Sequence, residues 1–234
     1  MGIDYTKRPS DGGAGAAQPP AAPPVNLGKV TLTKSAPSVS LTKSGAATGE
    51  LRVNLNWNAR PPEQPSGGFF KKLAGGGQAK NIDLDLACLY EFSDGSKGVV
   101  QALGGSFASR NAGTPIITLD GDDRSGTNSG GENLRIDLSR LAEIRRILVF
   151  AFIYEGVPNW AAADGVVTLY PSTGAPVEVR LDESHPDARM CAIALLTNSG
   201  SDLTVNREIR YVPGGHRLLD QTYSWGMQWT AGSK

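Results

Sequence analysis

Two short stretches concentrate side chains able to hold a cation. Segment 119–138, LDGDDRSGTNSGGENLRIDL, sets Asp120, Asp122, Asp123 and Glu132 among glycines, and NIDLDLACLYEF places Asp83 and Asp85 two residues apart. Along a strand successive side chains alternate, so Ile82, Leu84 and Leu86 share one face and the two aspartates share the other. Two residues of strand span ~7 Å, and two unit charges at that distance repel by ~2 kcal/mol at an effective dielectric near ~20. If the glycine-rich loop folds over the same spot the repulsion compounds, and something positive must sit there. Arg124 is the nearest cationic side chain in sequence, but one guanidinium cannot balance all of these carboxylates. A hard divalent cation bound by oxygen fits better, and a loop able to turn its carbonyls inward suits the larger shell of Ca²⁺ over that of Mg²⁺. The competing reading is a solvated turn in which Asp and Gly serve turn geometry alone.

The loop is not an EF-hand. Gly126 and Glu132 stand six residues apart as in that motif, but counting back puts Gly121 at the first ligand position, where Asp is required, and the flanks read as strands. Other chemistries find less support. Cys88 and Cys191 lie far apart inside apolar runs and read as buried thiols, and with His185 and His216 they lack the ligand spacing of a zinc site. Neither histidine has a Ser or Cys partner in a recognisable nucleophile motif, and both sit beside Pro or Gly as loop residues do. No GxxxxGK[ST] or GxGxxG occurs, so nucleotide binding is unsupported.

The elements that must position these residues are strands. Val30 with Leu32, Val39 with Leu41, and Leu51, Val53, Leu55 and Trp57 alternate with period two. Further β candidates are IDLDLACLYEF, GVVQAL, PIITL, NLRIDL, RILVFAFIYE, GVVTLYP, PVEVRL, MCAIALLTN, LTVNREIRYV and TYSWGMQW, punctuated by Gly, Pro, Asn and Asp. In the last of these Tyr223, Trp225, Met227 and Trp229 recur at every second position and read as the core face of a final strand. A short helical turn follows Asp137, which can cap it. Many short strands without alternating helices predict an all-β fold, a β-sandwich of short antiparallel strands.

Composition bounds the rest. The 234 residues hold 23 basic and 23 acidic side chains, so no net field draws nucleic acid or anionic lipid to the chain as a whole. No apolar run approaches the ~20 residues of a transmembrane helix, and the N-terminus lacks a secretory h-region, so a cytoplasmic protein is expected. Residues 1–26 are rich in Pro, Ala and Gly and read as a flexible tail, leaving 27–234 as one sandwich domain. Residues 58–80 form a long insertion loop, in which Phe69 and Phe70 beside Lys71 and Lys72 either tuck onto the sandwich or touch a partner or membrane.

Taken in order, VSLTK, VNLNW, NIDLDLACLYEFSDGSKGVV, DGDDRSGTNSGGENLRIDLSRL, RILVFAFIYE and NWAAADGVVTLYP resemble the TerD-domain proteins of tellurium resistance and bacterial stress response, from about Val25 to the C-terminus. The tail and the insertion look like those of longer, actinobacterial-type members. This resemblance implies a cytoplasmic, non-enzymatic β-sandwich that binds Ca²⁺ through acidic loops. It also implies action with other proteins, among them related stress-response proteins and membrane-associated complexes. Asp83 and Asp85 match the family's DLDL aspartates. Asp122 and Asp123 fall on its GDN step, Arg124, Ser125 and Gly126 on RTG, and Glu132 on the acidic residue before the next strand. Two departures stand out: TNSGG replaces further aspartates, and Asn58 follows Trp57 where many relatives carry Asp. Asp120 and Asn128 offer replacement oxygens in the same loop, and Glu155 matches a recurrent family glutamate.

A different class of function is a glycoside hydrolase using two of these carboxylates as acid and base, for which β-sandwiches are known hosts. It requires an aromatic-lined cleft and one protonated carboxyl, whereas this loop is rich in Gly, Ser and Asn. A carbohydrate-binding sandwich with structural Ca²⁺ is the third reading.

Overall fold

The computed structural model describes residues 28–57, 82–121, 130–156 and 160–230. The tail at 1–26, the insertion at 58–80, and Asp122, Asp123 and Asn128 lie outside the described residues. In chain order the described strands are β1 (Val30–Thr31), β2 (Ser38–Ser40), β3 (Glu50–Asn56), β4 (Asp83–Phe92), β5 (Lys97–Val100) and β6 (Ile117–Leu119). They continue with β7 (Glu132–Asp137), β8 (Ile144–Glu155), β9 (Gly165–Pro171), β10 (Val177–Leu181), β11 (Met190–Asn198) and β12 (Leu203–Val212). Among the described residues two short α-helices, α1 (Trp160–Ala163) and α2 (His216–Thr222), complete the regular structure together with two 3₁₀ segments.

The strands form two six-stranded sheets, ordered β1-β10-β9-β3-β7-β6 and β2-β12-β11-β8-β4-β5. Pairing is antiparallel except between β1 and β10. The fold is therefore an all-β sandwich, as the period-two pattern predicts. Leu51, Val53 and Leu55 of β3 and Leu134 and Ile136 of β7 meet Leu84, Leu86 and Cys88 of β4 in the main core between the sheets. Each such fully buried Leu or Ile contributes ~1.5–3 kcal/mol, which fixes the register: a slip of one residue would bring β4's aspartates inward. After β7, a 3₁₀ segment at Leu138–Glu143 forms where the sequence predicts a helical turn, with the Asp137 side chain accepting from Ser139 N at 3.0 Å. Both thiols are buried and free, and burial pushes Cys88 up to about 12.

One strand assignment is overturned. TYSWGMQW forms no strand; α2 ends at Thr222 and the chain continues over the outer face of the second sheet without pairing. Ser224 (φ 51°) and Gly226 (φ 77°) adopt left-handed backbone, outside the β region of a regular ladder. The Asp220 carboxylate holds this shape by accepting from Gly226 N and Met227 N, each at 2.9 Å, and from Trp229 Nε1 at 3.1 Å. The aromatics nevertheless pack: Trp225 is buried and donates from its indole to Tyr90 O at 3.1 Å, while Tyr223, Met227 and Trp229 lie against the same second cluster. His216, expected in a loop, opens α2 beneath this segment. β4 is consequently buried along its whole length, with Ala87 and Leu89 facing that second cluster.

Candidate functional site

Asp83 and Asp85 sit at the start of β4, on the side opposite Leu84 and Leu86. Their burial is nearly complete, at 6% and 0% exposure. β5 pairs with β4 only at residues 88–91, so among the described residues no strand neighbours β4 at residue 86 on that side. Glu132 fills this place. Its Oε2 accepts from Leu86 N at 2.6 Å, across 46 residues of chain, and the residue is 2% exposed. A glutamate from one sheet is thus bound to the backbone of the other, one residue beyond Asp85.

The approach of Glu132 is set locally. Its alternation with Leu134 and Ile136 turns it toward the sheet-facing side of β7. Just before it, Gly131 adopts φ 60°, and a Cβ there would stand 2.1 Å from Leu55 O. Only glycine fits both constraints. The Asn54 amide donates to Gly130 O at 2.6 Å and to Asn133 Oδ1 at 3.0 Å, anchoring the end of the acidic loop to β3. Asn54 and Gly131 are positioning residues that the sequence reasoning missed. The doubled glycine before Glu132 was the signal available for one of them, and nothing marked Asn54 out.

The remaining expected ligands divide. Glu155 is the cross-strand partner of Asp83 and is exposed, so two carboxylates share one end of the second sheet; like charges facing across a ladder destabilise it. Asp120 goes elsewhere. In the β6–β7 pairing Ile117 and Leu119 point into the core, so Thr118 and Asp120 point out. There Asp120 accepts a two-bond fork from Arg135, Nε to Oδ1 at 2.7 Å and Nη2 to Oδ2 at 2.8 Å, while Arg135 Nη1 reaches Glu50 at 2.7 Å. Hydrogen bonds donated to the carboxylates of Asp120 and Glu50 raise the Arg135 guanidinium above its usual range. Asp120 is an ion-pair member on the outer face. Asp122, Asp123 and Asn128 lie outside the described residues, and among the described residues no three His, Cys, Asp or Glu side chains group closely enough to hold a metal alone.

The donors that Asp83, Asp85 and Glu132 offer are all oxygen. Ionised carboxylates buried as deeply as Asp83, Asp85 and Glu132 require hydrogen bonds or countercharge, and carboxylate oxygen suits a hard cation. The softer ligands have other neighbours: His185 stacks on Tyr211 with ring centroids 4.1 Å apart, and His216 lies among Phe150, Phe152 and Trp229. The other buried acid on β4, Glu91, is neutralised by protein cations, Arg146 at 2.6 Å and Arg145 at 2.8 Å. Burial opposes its ionisation, but these arginines and Lys97 outweigh that and hold its carboxyl below the usual range.

No family model matches the chain. The chain is 44% identical over 210 residues to Tellurium resistance protein TerA from an Alcaligenes species, covering 90% of this chain and 60% of that protein. It is 34% identical over 125 residues to Stress response protein SCP2 of Bacillus subtilis (strain 168), covering 51% of this chain and 58% of that one. The chain therefore spans less than two thirds of the length of either curated relative. Among solved structures, a homologue of telluride resistance protein (TerD) from Streptomyces coelicolor A3(2) superposes with a TM-score of 0.51 at 18% identity, over 74% of this chain and 95% of that chain. At that identity the likeness is one of fold alone.

Proposed function

We propose that this chain, a member of the TerD-domain family of tellurium-resistance and stress-response proteins, is a Ca²⁺-binding, non-enzymatic interaction module acting in the cytoplasm with other proteins. The observation that carries this reading is the Glu132 carboxylate on Leu86 N, beside buried Asp85. Asp83, Asp85 and Glu132 would hold the ion together with oxygens of Asp122, Asp123 and Asn128, and Glu155 stands as an outer carboxylate. Ca²⁺ supplies double positive charge where carboxylates crowd, and accepts six to eight oxygens in a flexible shell. Bound there, it links β7 of one sheet to β4 of the other and so sets the loop between β6 and β7 as a surface for partners.

Calorimetric titration with Ca²⁺, with Mg²⁺ as competitor, tests the reading. Saturable heat with Ca²⁺ preferred over Mg²⁺, lost in Asp83→Ala, is expected. Absence of Ca²⁺ heat in a folded sample refutes it.

A further inference from the structure

A second site lies farther along the same strand, about 16 Å from Asp85 by strand rise, where Tyr90 of β4 reaches a cavity of about 810 Å³. That is the size of a small-molecule pocket. Its walls come from the β5 hairpin, the loop after β5, and the C-terminal segment held by Asp220.

Its polar groups are placed in a way the fold itself does not use. Gln101 is only 7% exposed and donates from Nε2 to Leu103 O at 2.9 Å, which fixes the orientation of its amide, since the flipped form would set two oxygens together. Among the described residues its buried Oε1 has no hydrogen-bond partner, and neither has His216 Nε2 on the same cavity. A buried acceptor left in that state costs free energy that a ligand donor would recover. Burial pushes His216 down to about 4, so the imidazole is neutral near pH 7. The flat wall is the Trp229 indole, whose centroid lies 5.1 Å from that of His216, with Met227 and Leu103 nearby. At the rim stands exposed Arg110; among the described residues Lys97 is the other cation of the lining, which includes no Asp or Glu.

We infer that this cavity binds a small organic anion with a flat apolar body and a hydrogen-bond donor: the anion on Arg110, the body on Trp229, the donor on Gln101 Oε1. It shares no residue with the proposed cation site.

The test is an NMR titration of the ¹⁵N-labelled full chain, in Ca²⁺ and again in chelator, with three probes. 4-Hydroxyphenylacetate carries both features, phenylacetate lacks the donor, and tyrosol lacks the anion. The expected result is a saturable shift of the Trp229 indole and Gln101 amide signals with the first probe at millimolar Kd or better, and at least about fivefold weaker binding of the other two. Gln101→Met should abolish the preference for 4-hydroxyphenylacetate over phenylacetate, and Arg110→Gln its preference over tyrosol, with melting temperatures unchanged. No saturable shift with any probe overturns the inference, as does equal binding of all three, or shifts that persist unaltered in both variants.

Discussion

Replacing Asp85 by Asn isolates the electrostatic core of the cation proposal, because one charge is removed at nearly constant volume from a fully buried position. Asp83 and Asp85 stand ~7 Å apart along β4, so without a cation their mutual repulsion is ~2 kcal/mol at an effective dielectric of ~20. Glu132, held on the adjacent Leu86 N, adds to it. In chelator Asp85→Asn should therefore gain up to ~2 kcal/mol. With Ca²⁺ at ~100 times its Kd, the wild-type chain should gain ~2.7 kcal/mol, or roughly 5–10 °C in melting temperature for a domain near this size, while the variant gains little. The two melting curves should thus exchange order between chelator and Ca²⁺. Differential scanning calorimetry of both proteins under both conditions reads this directly. An equal loss of stability under both conditions would show that Asp85 serves the fold alone and would refute the reasoning.

Three further outcomes follow from the geometry. Glu132→Ala should cost ~1–3 kcal/mol even in chelator, since Leu86 N loses its acceptor in a buried place, whereas Glu132→Gln keeps an acceptor and should lose mainly the Ca²⁺ response; chemical denaturation of both separates the roles. Gly131→Ala should destabilise by more than ~1 kcal/mol, because φ is 60° and the new Cβ would meet Leu55 O, and it should weaken Ca²⁺ binding by displacing Glu132. His216 has a folded value of about 4, below its ordinary 6.5, so the unfolded chain binds more protons between those values and stability falls as pH drops through that window, by at most ~3 kcal/mol. His216→Phe should flatten the acid side of a denaturation profile measured from pH 7 to 4, and an unchanged profile would count against burial of the imidazole.

Much of the sandwich was legible because a half-buried strand writes its geometry in alternate residues. Leu51, Val53 and Leu55, or Leu134 and Ile136, read as inward faces from sequence and occupy the core. The same rule misled at Tyr223, Trp225, Met227 and Trp229: period two identifies side chains that must be buried but does not say that a neighbouring strand exists, and left-handed Ser224 and Gly226 with the Asp220 anchor made an unpaired segment instead. Helix α2 was missed because at seven residues it is too short to show a helical period.

The candidate site divides along the same line. Residue chemistry and strand parity were enough to put Asp83 and Asp85 on one face and to indicate hard, oxygen-bound chemistry, because both follow from neighbours in the chain. Which distant acid joins them was decided by tertiary pairing. Glu132 reaches β4 because β5 leaves the strand edge at residue 86 open and Gly131 lets the chain approach Leu55, while Asp120 is carried to the outer face by the β6–β7 register. Local alternation cannot foresee such an outcome, since it depends on which backbone edge remains uncovered once two sheets have formed.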